Sequence, residues 1–117
     1  MIDNRRGKLM THNNFALNSD ERILLINTLN EVCNGFRIDN FEKKIGAHKE
    51  RVARLLARIS DADEQGDGKC EFSESDLEII NNSFNEVIKE IEEWEFQTRI
   101  GISRKEAFAI ADRIFKK

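Results

Sequence analysis

The chain has 117 residues, a formal net charge of −3 and a charged fraction of 35 %. That length suits one domain with its own core, and the charge suits solvated helical faces more than a membrane or collagen-like chain. With no proline and six glycines, the sequence lacks the turn residues of an all-β domain.

Residues 1–15 are polar and basic, with no hydrophobic period, and read as a flexible N-terminal arm. With no apolar leader or span, a cytoplasmic protein outside the membrane is expected. Cys33 and Cys70 lack ligand spacing and read as reduced thiols.

A first helix is predicted from Asn18 or Ser19, where Asn18 and Glu21 have capping-box spacing. Ile23, Leu25, Ile26 and Leu29 supply its apolar stripe, and Asn34-Gly35 supplies its stop. A short helix over 39–45 follows, ended by Gly46. A third helix, 48–60, carries Val52, Leu55, Leu56 and Ile59 on one face.

The chain then repeats itself. Residues 30–59 align without a gap on residues 85–114, and Asn30, Glu31, Val32, Phe41, Ile45, Gly46, Arg58 and Ile59 recur 55 positions later. The expected fold is all-α, with two tandem three-helix repeats, 16–59 and 73–117, packed as one domain and joined by an acidic linker, 60–72. In the second repeat Ser73 and Asp76 cap the first helix, Gly101 stops the second, and Ser103 with Glu106 caps the third. Lys89-Glu90 replaces Asn34-Gly35, so one long helix through Trp94 is expected there. Trp94 itself reads either as a core residue of that helix or as an interface anchor.

The linker contains DEQGDGKCEFSE, residues 63–74. As an EF-hand-like calcium loop it offers Asp63, Gln65, Asp67, Lys69 (through its carbonyl), Glu71 and Glu74, with Gly68 at the sharp turn and Cys70 at the usually apolar eighth position. Gln65, where Asp or Asn is usual, departs from the pattern. The plainer alternative is a solvated acidic connector.

Each IG step suggests a helix-turn-helix module. His48, Lys49, Arg51 and Arg54 in one copy, and Arg104 and Lys105 in the other, would then face a phosphate backbone, after helices anchored by Phe41 and Phe96. Glu42 and Gln97 stand where a small residue is usual.

Residues 60–96 hold 13 acidic and two basic side chains, while the remainder is net basic. An acidic surface steers basic partners. His12 and His48 are the only histidines, and no nucleophile, phosphate-loop or metalloprotease pattern is present. The expectation is a non-enzymatic binding protein without a cofactor.

The size, the acidity and the duplicated F-x-x-x-I-G unit, FEKKIG and FQTRIG, resemble small all-α bacterial immunity proteins. That resemblance implies a toxin-neutralising inhibitor whose partner is a basic cognate toxin, a nuclease for example, covered by acidic side chains standing in for phosphates. The residues expected to bind are Glu86, Glu90, Glu92, Glu93, Trp94 and Glu95, then Asp61, Asp63, Glu64 and Asp67. A helix-turn-helix regulator and a calcium-responsive module are the alternatives.

Overall fold

The computed structural model describes residues 12–64 and 69–115; the side chains of residues 12, 13, 63 and 64 are outside the description. Helices dominate it. The described elements are β1 (His12–Ala16), α1 (Ser19–Asn30), a π-helical turn (Glu31–Gly35), α2 (Phe41–Ile45), α3 (Lys49–Glu64), β2 (Lys69–Ser73), α4 (Glu74–Glu90), α5 (Glu93–Ile100) and α6 (Arg104–Phe115).

Two of these elements correct the sequence reading. The end of the N-terminal arm is a strand, and so is the end of the linker. β1 and β2 pair antiparallel, with Phe15 opposite Cys70 and His12 opposite Ser73. The Phe15 and Phe72 rings sit 5.5 Å apart and tie this small sheet to the core. Helix α3 also runs on to Glu64, so much of the expected connector is regular structure.

The caps form where their spacing predicts. Asn18 accepts from the Glu21 N–H at 2.8 Å and Glu21 returns the bond to the Asn18 N–H. Ser73 and Asp76 do the same for α4, and Ser103 with Glu106 for α6. Each satisfies amide donors that a helix start leaves open.

Asn34-Gly35 ends the first helix as expected, but through a π-helical turn that buries Val32 and Cys33. Burial pushes the Cys33 thiol upward in pKa, against the opposing charge of Lys49. The expected long helix through Trp94 is absent. The chain turns extended at Ile91 and Glu92, which lets Ile91 bury its side chain while the Glu92 carbonyl accepts from the Glu95 N–H and starts α5.

One hydrophobic cluster draws on both halves of the chain. It includes Leu24, Leu29, Ile45, Val52 and Ile59 from the first, and Ile79, Ile80, Phe96, Ile100 and Ile110 from the second. Contacts across it recur at the 55-residue spacing. The Asn27 amide donates to the Ile100 carbonyl at 2.7 Å, and the Asn82 amide donates to the Ile45 carbonyl at 3.0 Å. Arg58 meets Asp76, and Arg113 meets Glu21, both at 2.8 Å. Gly46 and Gly101 end α2 and α5 with φ of 95° and 100°, a conformation that side-chain-bearing residues rarely take. At Gly101 an added Cβ would also meet Ile23 Cγ2 at 2.7 Å.

Thr28 and Ser83, another pair at this spacing, are 1 % and 0 % exposed. Among the described residues their hydroxyl oxygens have no hydrogen-bond partner. A buried unpaired hydroxyl is costly, and removing it relieves that cost. Thr28→Val and Ser83→Ala are therefore expected to leave stability unchanged or raise it by about 1 kcal/mol each. Thermal unfolding checks this; a loss from both would show that the hydroxyls are satisfied in solution.

Candidate interaction surface

Trp94 decides between core and surface. It lies in the first turn of α5 and is 77 % exposed. The period of the helix explains why: Phe96 and Ile100 take the buried face, and Trp94, Gln97 and Thr98 share the outer one. An indole this exposed contributes little to the core, whereas aromatic anchors of this kind are enriched at interfaces.

The acids around it divide. Glu90, Glu92 and Glu93 are exposed and flank Trp94 along the chain at the α4–α5 turn. Glu95 is half-buried and holds Arg99 at 3.2 Å. Glu86 corrects the expectation: it is 7 % exposed and paired with Lys89 at 3.1 Å, so it belongs to the packing of α4. The matching residue of the first half, Glu31, is also buried and grips Arg99 from across the core. Hydrogen bonding to Glu31, which outweighs burial, and then to Glu95 raises the Arg99 pKa.

Of the linker acids, Asp61 is exposed on α3. The side chains of Asp63 and Glu64, and all of Asp67, lie outside the described residues. Asp61 stands one turn beyond Arg58, which binds Asp76 near the start of α4. Glu90 ends that helix, and about 21 Å of helix rise separates it from Asp76. The expected acidic surface is therefore divided between the two ends of α4.

Most cations expected for nucleic-acid binding have partners in the fold. His48 lies 3.3 Å from Glu42, and Lys49 caps the Phe41 ring at 5.5 Å. Arg51 binds Asp76 at 2.7 Å. Arg104 donates to the Ile88 carbonyl and sits 6.0 Å from the centres of the Phe96 and Phe108 rings. Arg54 and Lys105 are exposed. Glu42 and Gln97 are also exposed, so neither obstructs helix packing.

Among the described positions of the calcium loop, Lys69, Glu71 and Glu74 are exposed; Gln65 and Asp67 are outside the description. Glu74 opens α4. Among the described residues no group of three or more candidate metal-ligating side chains occurs. No described helix is long and apolar enough to cross a membrane.

The feature the sequence concealed is Asp76. Its side chain is 5 % exposed and holds Arg51 and Arg58 at 2.7 and 2.8 Å, besides the Ser73 N–H at 3.0 Å. Burial pushes its pKa up, but the Ser73 amide, the Arg51 hydrogen bond and the charges of Arg58 and Arg51 outweigh that and hold it below the usual value. Only the capping spacing was visible in the sequence. Scans of protein-family models, of curated proteins and of solved structures return no match to this chain.

Proposed function

We propose that the chain is a non-catalytic protein-binding module that docks a basic partner through Trp94 and the exposed Glu90, Glu92 and Glu93. The observation that supports this most is the 77 % exposure of an aromatic side chain among carboxylates. A partner would bury the indole and meet the glutamates with lysine or arginine, the usual form of an anchor within a charged rim. Toxin neutralisation is the setting that the resemblance to immunity proteins suggests, with a basic cognate toxin, such as a nuclease, as partner. The paired contacts at 55-residue spacing support two tandem copies of one helical unit, with this surface on the second copy alone, since Asp39 stands where Trp94 does.

Trp94 is the only tryptophan, so its fluorescence reports on this surface directly. Partner binding should blue-shift its emission. Capture on immobilised protein from the native lysate, nuclease-treated, followed by that titration, tests the reading. A bound partner that leaves Trp94 emission unchanged and is still bound by Trp94→Ala would refute it.

A second reading has its own support. Cys70, the eighth position of the calcium-like loop, faces Phe15 in the two-stranded sheet, and Glu74, the twelfth, begins α4. Helix before the loop and helix after it is what such a module requires. With Gln65 at the third position, a calcium Kd of order 10⁻⁵–10⁻⁴ M is expected, weakened about tenfold or more in Glu74→Gln. Isothermal calorimetry checks both, and absence of binding heat at millimolar calcium would dismiss the reading.

A further inference from the structure

The two halves share contacts that recur: Asn27 with Ile100 and Asn82 with Ile45, Arg113 with Glu21 and Arg58 with Asp76. Among the described residues, the contact between Glu31 and Arg99 breaks that recurrence. Its counterpart would join Glu86 to Lys44. Lys44 is exposed instead, and Glu86 binds Lys89 at 3.1 Å. Gly35 makes room for the pair that does form. A Cβ there would run into the Glu31 carboxylate and lie 3.3 Å from Arg99 Nη2. In the second half Glu90 takes the place of Gly35, and Lys89 that of Asn34.

This clamp acts on α5, the helix that carries Trp94. Arg99 spreads three nitrogens over two carboxylates. Nη2 and Nε hold Glu31, with Nε at 3.4 Å, and Nη1 holds Glu95 at 3.2 Å. Glu31 is buried on the π-helical turn of the first half, and Glu95 directly follows Trp94. Asn27 ties the far end of α5 through the Ile100 carbonyl. The first turn has no side-chain cap among the described residues. Phe96 anchors that turn in the core, and Glu95, Arg99 and Glu31 form its polar tie to the first half. A guanidinium is rigid and planar, so a fork filled in this way fixes both carboxylates relative to each other.

We propose that Arg99, clamped by Glu31, is a positioning residue for the Trp94 corner: it holds the first turn of α5 in the orientation that presents the indole and its neighbouring carboxylates to a partner. This rests on reading Trp94 as a docking residue and names what sets it in place. An anchor held ready loses less freedom on binding. The role carries a sign of its own. Removing the Arg99 charge makes the corner more acidic, so charge alone predicts tighter binding of a basic peptide by Arg99→Gln. Loss of positioning predicts weaker binding.

The test uses Arg99→Gln, Arg99→Lys and Gly35→Ala, with Lys44→Gln as control. Gly35→Ala changes no charge and displaces the Glu31 carboxylate by bulk alone. Its φ is not positive, so the alanine adds no left-handed strain. An oligo-arginine peptide titrated against Trp94 emission reports affinity. Time-resolved Trp94 anisotropy of the free proteins reports how firmly the indole is held. Arg99→Gln and Gly35→Ala should each bind the peptide about fivefold more weakly, with a larger fast component in the anisotropy decay. Arg99→Lys keeps the charge without the fork and should fall with them. Lys44→Gln removes the same charge as Arg99→Gln and should match wild type in anisotropy and affinity.

Tighter binding by Arg99→Gln, or wild-type anisotropy and affinity in both Arg99→Gln and Gly35→Ala, overturns the positioning role and leaves Trp94 a docking residue. If either variant fails to fold by circular dichroism, the other decides. A wild type whose emission the peptide leaves unchanged removes the docking reading, and the proposal with it.

Discussion

Asp76→Ala is expected to destabilise the protein by about 3 kcal/mol at neutral pH, lowering Tm by about 10 °C for a domain of this size. One side chain joins three things: it closes the α4 capping box and binds Arg51 and Arg58 of α3. Loss of a helix cap alone costs about 1 kcal/mol. Removing the carboxylate also leaves two guanidiniums without their shared partner. Arg58 is more than half exposed and Arg51 one-third, so water takes up part of that loss and keeps the effect at the lower end for a buried pair. Glu21→Ala is the internal control. Glu21 caps α1 and, among the described residues, meets a single arginine, Arg113, and about 1 kcal/mol is expected. Equal losses from the two variants in urea unfolding would show that the second arginine adds nothing.

The pH dependence follows from the direction of the Asp76 shift. Its folded pKa lies below the ordinary aspartate value, so the folded protein holds the carboxylate more strongly ionised than the unfolded chain does. The stabilisation is complete above the unfolded pKa of about 4 and is lost as pH falls through the folded value. The gap between wild type and Asp76→Ala should therefore hold across the neutral range and narrow below about pH 4. A gap that widened in acid would assign the stability to another group.

The parts of this fold that could be read in the sequence are local ones. Asn18 with Glu21, Ser73 with Asp76 and Ser103 with Glu106 are three residues apart, so spacing alone specifies each box. Gly46 and Gly101 end their helices because the left-handed turn favours glycine. What escaped depends on distant partners. β1 is HNNFA, without alternation, and β2 is KCEFS, which alternates but over five residues only; they are strands because each is the other's neighbour. Glu31 and Glu86 look like surface acids, yet both are buried and paired. Arg99, which holds Glu31, is 68 residues away from it. At Ile91 the backbone leaves the helix to keep one isoleucine in the core, although no turn residue marks the place. The Trp94 site was half legible: its composition was plain, but exposure depended on where α5 begins.

That start of α5 sets up the second large effect. If the proposed docking holds, Trp94→Ala is expected to weaken binding of the proposed basic partner by about 2–4 kcal/mol, from thirtyfold to several hundredfold, because a central aromatic anchor concentrates the energy of an interface. Stability should barely change, since the side chain is 77 % exposed in the free protein. The surrounding glutamates act differently. Glu92→Lys with Glu93→Lys should slow association and flatten its salt dependence, as rim charges steer encounter more than they hold the complex. Glu86→Ala should instead lower stability, since it strips a buried group paired with Lys89, while partner affinity at the folded surface stays near wild type. Stopped-flow association rates, dissociation rates and thermal unfolding separate the three roles. If Trp94→Ala altered Tm more than affinity, the indole would be part of the core in solution, and the acids beside it would be only a solvated helix face.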